Sequence, residues 1–267
     1  LLQHASPKRS AAIIWHYFTK PGRVGFTDAQ RQIIGEADVY QTSHRGDIIK
    51  HYRWGESEKK ILLCHGWRSK AADFRRMINK FLSEGYQVEA IDMRAHGNSQ
   101  GKHTAMPEFR DIIKDHIAKN GPYHAVVGHS IGALASGIAL SELGSAFQPK
   151  HFYVLAAPPY IRYFFKDIVS DVGCNEHVYQ AMCGMVKERY HHSIDYFDLR
   201  LKENDLKDMD THLFYCEDDQ VIPFGKGEEL EAAWTHASFV HVKGLGHYKI
   251  IANHSINSNI GNSMKVN

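Results

Sequence analysis

The sequence predicts an α/β fold, a mostly parallel sheet with helices on both faces. Three observations predict it. From about residue 37, short apolar runs alternate with amphipathic helical stripes. The chain has 267 residues, which suits one large α/β domain with a core of ordinary size. The residues that carry chemistry fall just after the apolar runs, where open α/β sheets bind their ligands.

The elements follow in order. Residues 1–34 lack a clear period and read as an N-terminal arm. Within it AAIIWHYF, Ala11 to Phe18, fits one short helix that lays its apolar side on the domain, and KPGR breaks it. A turn-like SHRG precedes DIIKHYRW (Asp47 to Trp54), an antiparallel hairpin at the sheet edge. ILLC (Ile61 to Cys64) is a buried strand. Phe74, Met77, Ile78, Phe81 and Leu82 then fall on one helical face, which Gly85 ends. QVEAID (Gln87 to Asp92) is the next strand. Phe109, Ile112, Ile113 and Ile117 mark a second helix between Pro107 and Asn120-Gly121. AVVG and FYVLAA (Phe152 to Ala157) are further strands. The period is lost from Pro158 to about Asp210, a stretch rich in aromatics and charges. It returns with HLFYC (His212 to Cys216), a helix over Glu228 to Trp234, and SFVHV (Ser238 to Val242). The tail carries Ile250, Ile251, Ile256 and Ile260 among asparagines and serines, a weak helical signal.

Composition narrows the function. Net charge is +2 with histidines neutral, and no lysine/arginine run exceeds two residues, which argues against a nucleic-acid partner. No apolar stretch approaches the length of a transmembrane segment. The four cysteines form no CxxC pair; the spacing of Cys174 and Cys183 allows a bridge but does not demand one. HExxH is absent, and His191-His192 reads as a solvated loop rather than a metal site. Reduced thiols and no signal segment in view favour the cytoplasm, although the chain opens on Leu1 rather than methionine. Oligomeric state is not legible.

The chemistry centres on GHSIG, Gly128 to Gly132. It follows AVV and precedes a small-residue helix. A sharp strand-to-helix turn projects a serine hydroxyl at the top of a sheet, and the flanking glycines leave room for it. Ser130 is therefore the candidate nucleophile. The Ile131 N–H, at the helix start, would face a tetrahedral oxyanion. A serine needs a base. His247, in the glycine-flanked loop GLGHYK after the last strand, suits that role better than His236, His241 or His254. An orienting acid should lie between them, and CEDDQVIP offers Glu217, Asp218 and Asp219 without choosing among them. HGW (His65 to Trp67) follows a strand and offers the Trp67 N–H as a second oxyanion donor, with His65 in a structural role.

GHSIG, HGW, DMRAHGNSQG (Asp92 to Gly101), the DDQVIP loop and GLGH together resemble the α/β-hydrolase superfamily, closest to serine-dependent bacterial esterases and lysophospholipase-like or aminopeptidase-like members. The resemblance covers about residues 47–158 and 211–251. It implies an eight-stranded sheet whose second strand is antiparallel to the rest. It implies a core at 35–158 and 206–267 with a small cap inserted at 159–205. In that family an acid, three residues and proline form the acid loop; this picks Asp219 before Pro223, with Asp218 as fallback. DMRAHGNSQG is usually a structural turn, so Asp92 and His96 receive no catalytic role. The tail departs from the family in lacking a clean amphipathic helix after the histidine.

The implied activity is carboxylesterase-like hydrolysis of a small to medium ester through an acyl-enzyme, which needs no cofactor and no metal. Thioesterase, peptidase, acyltransferase and peroxide-forming chemistry share the triad. A catalytically silent binding protein on the same fold is the reading from another class. PPYIRYFF (Pro158 to Phe165) either walls an acyl pocket or merely packs the cap. Arg162, Lys166, Lys187 and Arg189 read as a solvated basic face rather than a seat for an anionic substrate.

Overall fold

A computed structural model describes residues 6–265. The first five residues of the arm and the last two of the chain lie outside the described residues.

Among its described residues the arm holds two helices, α1 (Pro7–Phe18) and α2 (Asp28–Gly35). The sequence reading found only the first. The second is set by Thr27, whose hydroxyl accepts from the Gln30 N–H while the Gln30 side chain accepts from the Thr27 N–H. This reciprocal cap was visible as Thr-x-x-Gln.

One eight-stranded sheet follows. Its strands are β1 (Asp38–His44), β2 (Asp47–Trp54), β3 (Lys60–Cys64), β4 (Gln87–Asp92), β5 (Ala125–His129), β6 (His151–Leu155), β7 (Asp210–Cys216) and β8 (Ser238–Val242). Their spatial order is β1-β2-β4-β3-β5-β6-β7-β8. β2 pairs antiparallel with both β1 and β4, and every other pair is parallel. The eight strands and the reversed second strand are those the resemblance implied.

Five further helices line the sheet: α3 (Arg75–Ser83), α4 (Met106–Asn120), α5 (Ile131–Leu143), and, beyond the stretch after β6, α9 (Phe224–Ala233) and α11 (His254–Ser263). That stretch holds α6 (Arg162–Asp171), α7 (Glu176–Tyr190) and the single turn α8 (Glu203–Leu206). A short turn, α10 (Gly246–Lys249), carries His247. Alternate residues of the central strands feed two core layers. Leu62, Cys64 and Val126 join Phe109, Ile113, Leu134 and Ile138 on one face. Ile61, Leu63 and Val127 join Phe74, Met77, Phe81 and Ile260 on the other. Both faces of β3, β5 and β6 are thus covered, which is why these strands read as continuous apolar runs.

Two expectations need correction. The tail does form a helix, α11, capped by the Asn253 side chain on the Ile256 N–H and docked through buried Ile256 and Ile260. Its other faces carry asparagine and serine, which hid the stripe. The strand drawn through Ala157 stops at Leu155, because Ala156 turns to φ 49°. Cys174 and Cys183 are free thiols. His191 closes α7 in a left-handed conformation, and His192 stacks on Tyr196 at 3.8 Å. Among the described residues no group of three His, Cys, Asp or Glu side chains is arranged to hold a metal ion, and no helix is long and apolar enough to cross a membrane.

Candidate active site

β5 ends at His129 and α5 begins at Ile131, with Ser130 as the hinge between them. Ser130 sits at φ 54°, a left-handed conformation that costs energy for a residue with a Cβ. The Ser130 N–H donates to the Leu155 carbonyl at 2.8 Å and the Ser130 carbonyl accepts from Ala133 at 2.9 Å, so both sides of the turn are held. Sterics explain the flanking glycines. A Cβ at Gly128 would lie 2.4 Å from the Ala133 Cα, and one at Gly132 would lie 2.3 Å from the His65 carbonyl oxygen. Only glycine lets helix and strand approach this closely.

His247 reaches the same place from α10. Its Nδ1 lies 2.8 Å from Oδ2 of Asp219. A carboxylate only accepts, so Nδ1 carries the hydrogen and Nε2 keeps its lone pair. Asp219 is buried, and its other oxygen accepts from the N–H groups of Val221 and Ile222 at 2.7 and 2.8 Å. Of the three adjacent acids, Asp219 is the one on His247. Asp218 turns away and binds the histidine loop instead, accepting from Gly244 at 2.7 Å and Gly246 at 3.1 Å. The Cys216 thiol and the Gly244 N–H hold the Asp218 carboxyl below its ordinary range. Glu217 pairs with Lys243 at the surface.

Ser130 and His247 line one cavity of about 170 Å³. Among the described residues Ser130 Oγ has no hydrogen-bond partner, a common looseness in sites without substrate. Trp67 and Ile131 line the cavity too, and no carbonyl among the described residues pairs with either N–H. The rest of the lining is apolar apart from Arg68 and Tyr248. Of the aromatics in PPYIRYFF, Phe164 and Phe165 line the cavity, with Pro158 and Ile161. Tyr160 and Tyr163 do not; Lys226 donates to the Tyr160 hydroxyl at 2.7 Å and Arg200 stacks over its ring. Both readings of PPYIRYFF therefore hold, for different residues. Arg162, Lys166, Lys187 and Arg189 lie off the cavity. Arg162 pairs with Asp195, Lys166 sits over Tyr179 and Arg189 over Trp15.

The residues given structural roles have full sets of partners. The Asp92 carboxylate accepts from the N–H groups of Ala71 and Asn98 and from the Tyr52 hydroxyl. His65 accepts from the Met93 N–H at 3.0 Å and donates to the Gly66 carbonyl. His96 accepts from the Arg68 N–H at 3.0 Å, which fixes the loop behind Trp67; burial, then the neighbouring His65, lowers its pKa to about 3.

Two contributors escaped the sequence reading. His129, inside the motif itself, donates from Nε2 to the His247 carbonyl at 2.8 Å. Burial, then the charge of His247, lowers its pKa to about 3. Trp15 and Phe18 of α1 line the cavity as well. Ala11, Trp15 and Phe18 lie at i, i+4 and i+7, a helical stripe that was there to be read.

With the serine at a strand-to-helix hinge, the histidine and acid behind it, and the eight-stranded sheet beneath, the chain belongs to the alpha/beta hydrolase family, whose sequence pattern matches residues 61–254. It is 32% identical over 126 residues to a non-heme chloroperoxidase of Streptomyces lividans, covering 44% of each chain. It is 27% identical over 126 residues to a bifunctional esterase/perhydrolase of Acinetobacter calcoaceticus, covering 45% of each. The match thus spans less than half the length of these relatives. An esterase of Pyrococcus furiosus superposes with a TM-score of 0.66 at 21% identity, covering 92% of this chain and 97% of that one, a likeness of fold.

Proposed function

We propose that this protein is a serine hydrolase that cleaves a small to medium carboxylic ester through an acyl-enzyme. The observation that carries the reading is that His247, held by buried Asp219, lines the same cavity as Ser130. The esterase and esterase/perhydrolase likenesses support it. A serine at the hinge, rather than an aspartate, favours acyl transfer.

In this reading Ser130 Oγ attacks the substrate carbonyl while His247 Nε2 takes its proton. Asp219 holds the imidazole in the required tautomer and stabilises the imidazolium. The carbonyl oxygen gathers negative charge, and the N–H groups of Trp67 and Ile131 receive it, each contributing on the order of 3 kcal/mol in the transition state. His247 then protonates the leaving alcohol, the C–O bond breaks, and the acyl group stays on Ser130. Water adds by the same route in reverse, giving the acid and free serine. The apolar lining suits the hydrocarbon part of the acyl group.

The test is turnover of p-nitrophenyl esters of graded chain length, with Ser130→Ala beside wild type and fluorophosphonate labelling of both. Serine-dependent turnover and labelling are expected. A folded Ser130→Ala protein as active as wild type would sink the mechanism. Wild type that neither turns over esters nor labels would make the fold a binding module.

A further inference from the structure

The arm's first helix is part of the cavity, although it precedes the first strand of the sheet. α1 packs along α7. Trp15 is 6% exposed and meets Phe165 edge-on at 6.1 Å, with the Arg189 guanidinium 5.4 Å over its ring. Phe18 stacks on Trp67 at 6.2 Å with an interplanar angle of 16°, and meets Phe165 edge-on at 5.6 Å. Trp15 and Phe18 thus close the cavity against Phe165 from the cap side and Trp67 from the core side.

The arm is also pinned. The Thr19 hydroxyl donates to the Trp15 carbonyl at 2.8 Å, and the Thr104 N–H donates to the Thr19 carbonyl at 2.8 Å. Thr104 adjoins Ala105, Met106 and Pro107, which line the cavity themselves. Arg23 donates to the carbonyls of Gly97 and Ser99 at 2.5 and 2.6 Å. These bonds fix where α1 ends relative to the core, and so fix where the two rings stand.

We propose that α1 is the specificity-determining wall of the acyl pocket, and that Trp15 and Phe18 limit the acyl group to about six carbons or a single aromatic ring. This rests on the serine-hydrolase reading of the same site. The size follows from the cavity of about 170 Å³, since a dry apolar cavity of about 150 Å³ accepts one benzene molecule. The substrate class is then an ester of a short aliphatic or an aryl carboxylic acid. Long-chain acyl groups are excluded by two rings, not by the sheet.

The experiment uses the whole chain, with Trp15→Ala and Phe18→Ala, and Trp15→Leu in case the alanine variant fails to fold. Tyr17→Ala is the control, since Tyr17 is on the same helix but 72% exposed and off the cavity. Two readouts are taken. One is kcat and KM on p-nitrophenyl esters from acetate to laurate. The other is calorimetric Kd for the free carboxylic acids of the same lengths, which needs no turnover. Wild type should peak near the hexanoate and bind hexanoate or benzoate best. Trp15→Ala should move both optima at least two carbons longer, raising kcat/KM on the octanoate about tenfold through KM, the worth of two further buried methylenes. Tyr17→Ala should leave both profiles in place. Folded Trp15 and Phe18 variants that keep the wild-type length profile in both readouts would overturn the proposal. Loss of fluorophosphonate labelling in wild type would instead strike the hydrolase reading, with the acid-binding profile still deciding the role of α1.

Discussion

The imidazole of His129 donates from Nε2 to the backbone carbonyl of His247 at 2.8 Å, with the two rings 4.8 Å apart. The residue immediately before the candidate nucleophile therefore holds the loop of the candidate base. Because a carbonyl only accepts, His129 is fixed as the Nε2–H tautomer, and among the described residues its buried Nδ1 has no partner. A side chain that could donate without a second polar atom facing apolar surroundings would be cheaper. The residue ties the loop of the candidate base to the turn of the candidate nucleophile.

His129→Ala should accordingly lower kcat about tenfold with little change in KM, the expected worth of one positioning hydrogen bond. His129→Gln keeps an N–H donor and should recover part of the loss. Steady-state kinetics on a short ester, with circular dichroism to establish folding, decides it. An unchanged kcat in folded His129→Ala would show that the histidine loop holds itself.

Asp219 and Asp218 are neighbours with different tasks. Asp219→Asn leaves the shape intact but lets an amide donor face Nδ1, which favours the wrong tautomer of His247; kcat should fall by about 10⁴. Asp218→Asn weakens the bonds to Gly244 and Gly246 and should cost less than about tenfold in kcat. The same ester assay measures both. The reverse order would move the acid one place back in the chain.

Four buried imidazoles predict lability to acid. Burial lowers the pKa of His51, His96 and His129 to about 3, and lowers that of His65 as well. Between about pH 6.5 and about pH 3 the unfolded chain binds a proton on His51, His96 and His129 while the folded chain does not, and His65 acts in the same direction. Stability is therefore full above about pH 6.5 and falls as pH falls through that window. Each ring adds a slope of up to about 1.4 kcal/mol per pH unit. Thermal melts should show a steady Tm above about pH 7 and a steep decline below about pH 6. A flat Tm down to about pH 4.5 would count against buried neutral histidines.

How much of this was legible turned on how local each signal was. GHSIG, the apolar strands and the glycine-flanked His247 each announce themselves within a few residues, so the sheet and the candidates Ser130 and His247 could be read directly. Choosing Asp219 over Asp218 was different. Both are acids in one loop, and what separates them is which backbone N–H groups each meets, a matter of the folded loop. The stretch after β6 hid two helices because aromatics and charges share their faces, although Val178, Met182, Val186 and Tyr190 do recur every fourth residue. The link from His129 to His247 spans 118 residues and leaves no pattern in the sequence. The tail helix was masked because α11 buries Ile256 and Ile260 while showing asparagine and serine elsewhere.

The cavity takes one wall from Trp15 and its candidate base from His247, so almost the whole length of the chain lies between two residues that meet the same small space. A chain still being synthesised cannot possess this site until His247 has left the ribosome and has met Trp15 across the cavity. Partly folded forms would lack the assembled cavity. In refolding, the proposed ester turnover should be the last signal to recover, after helix content.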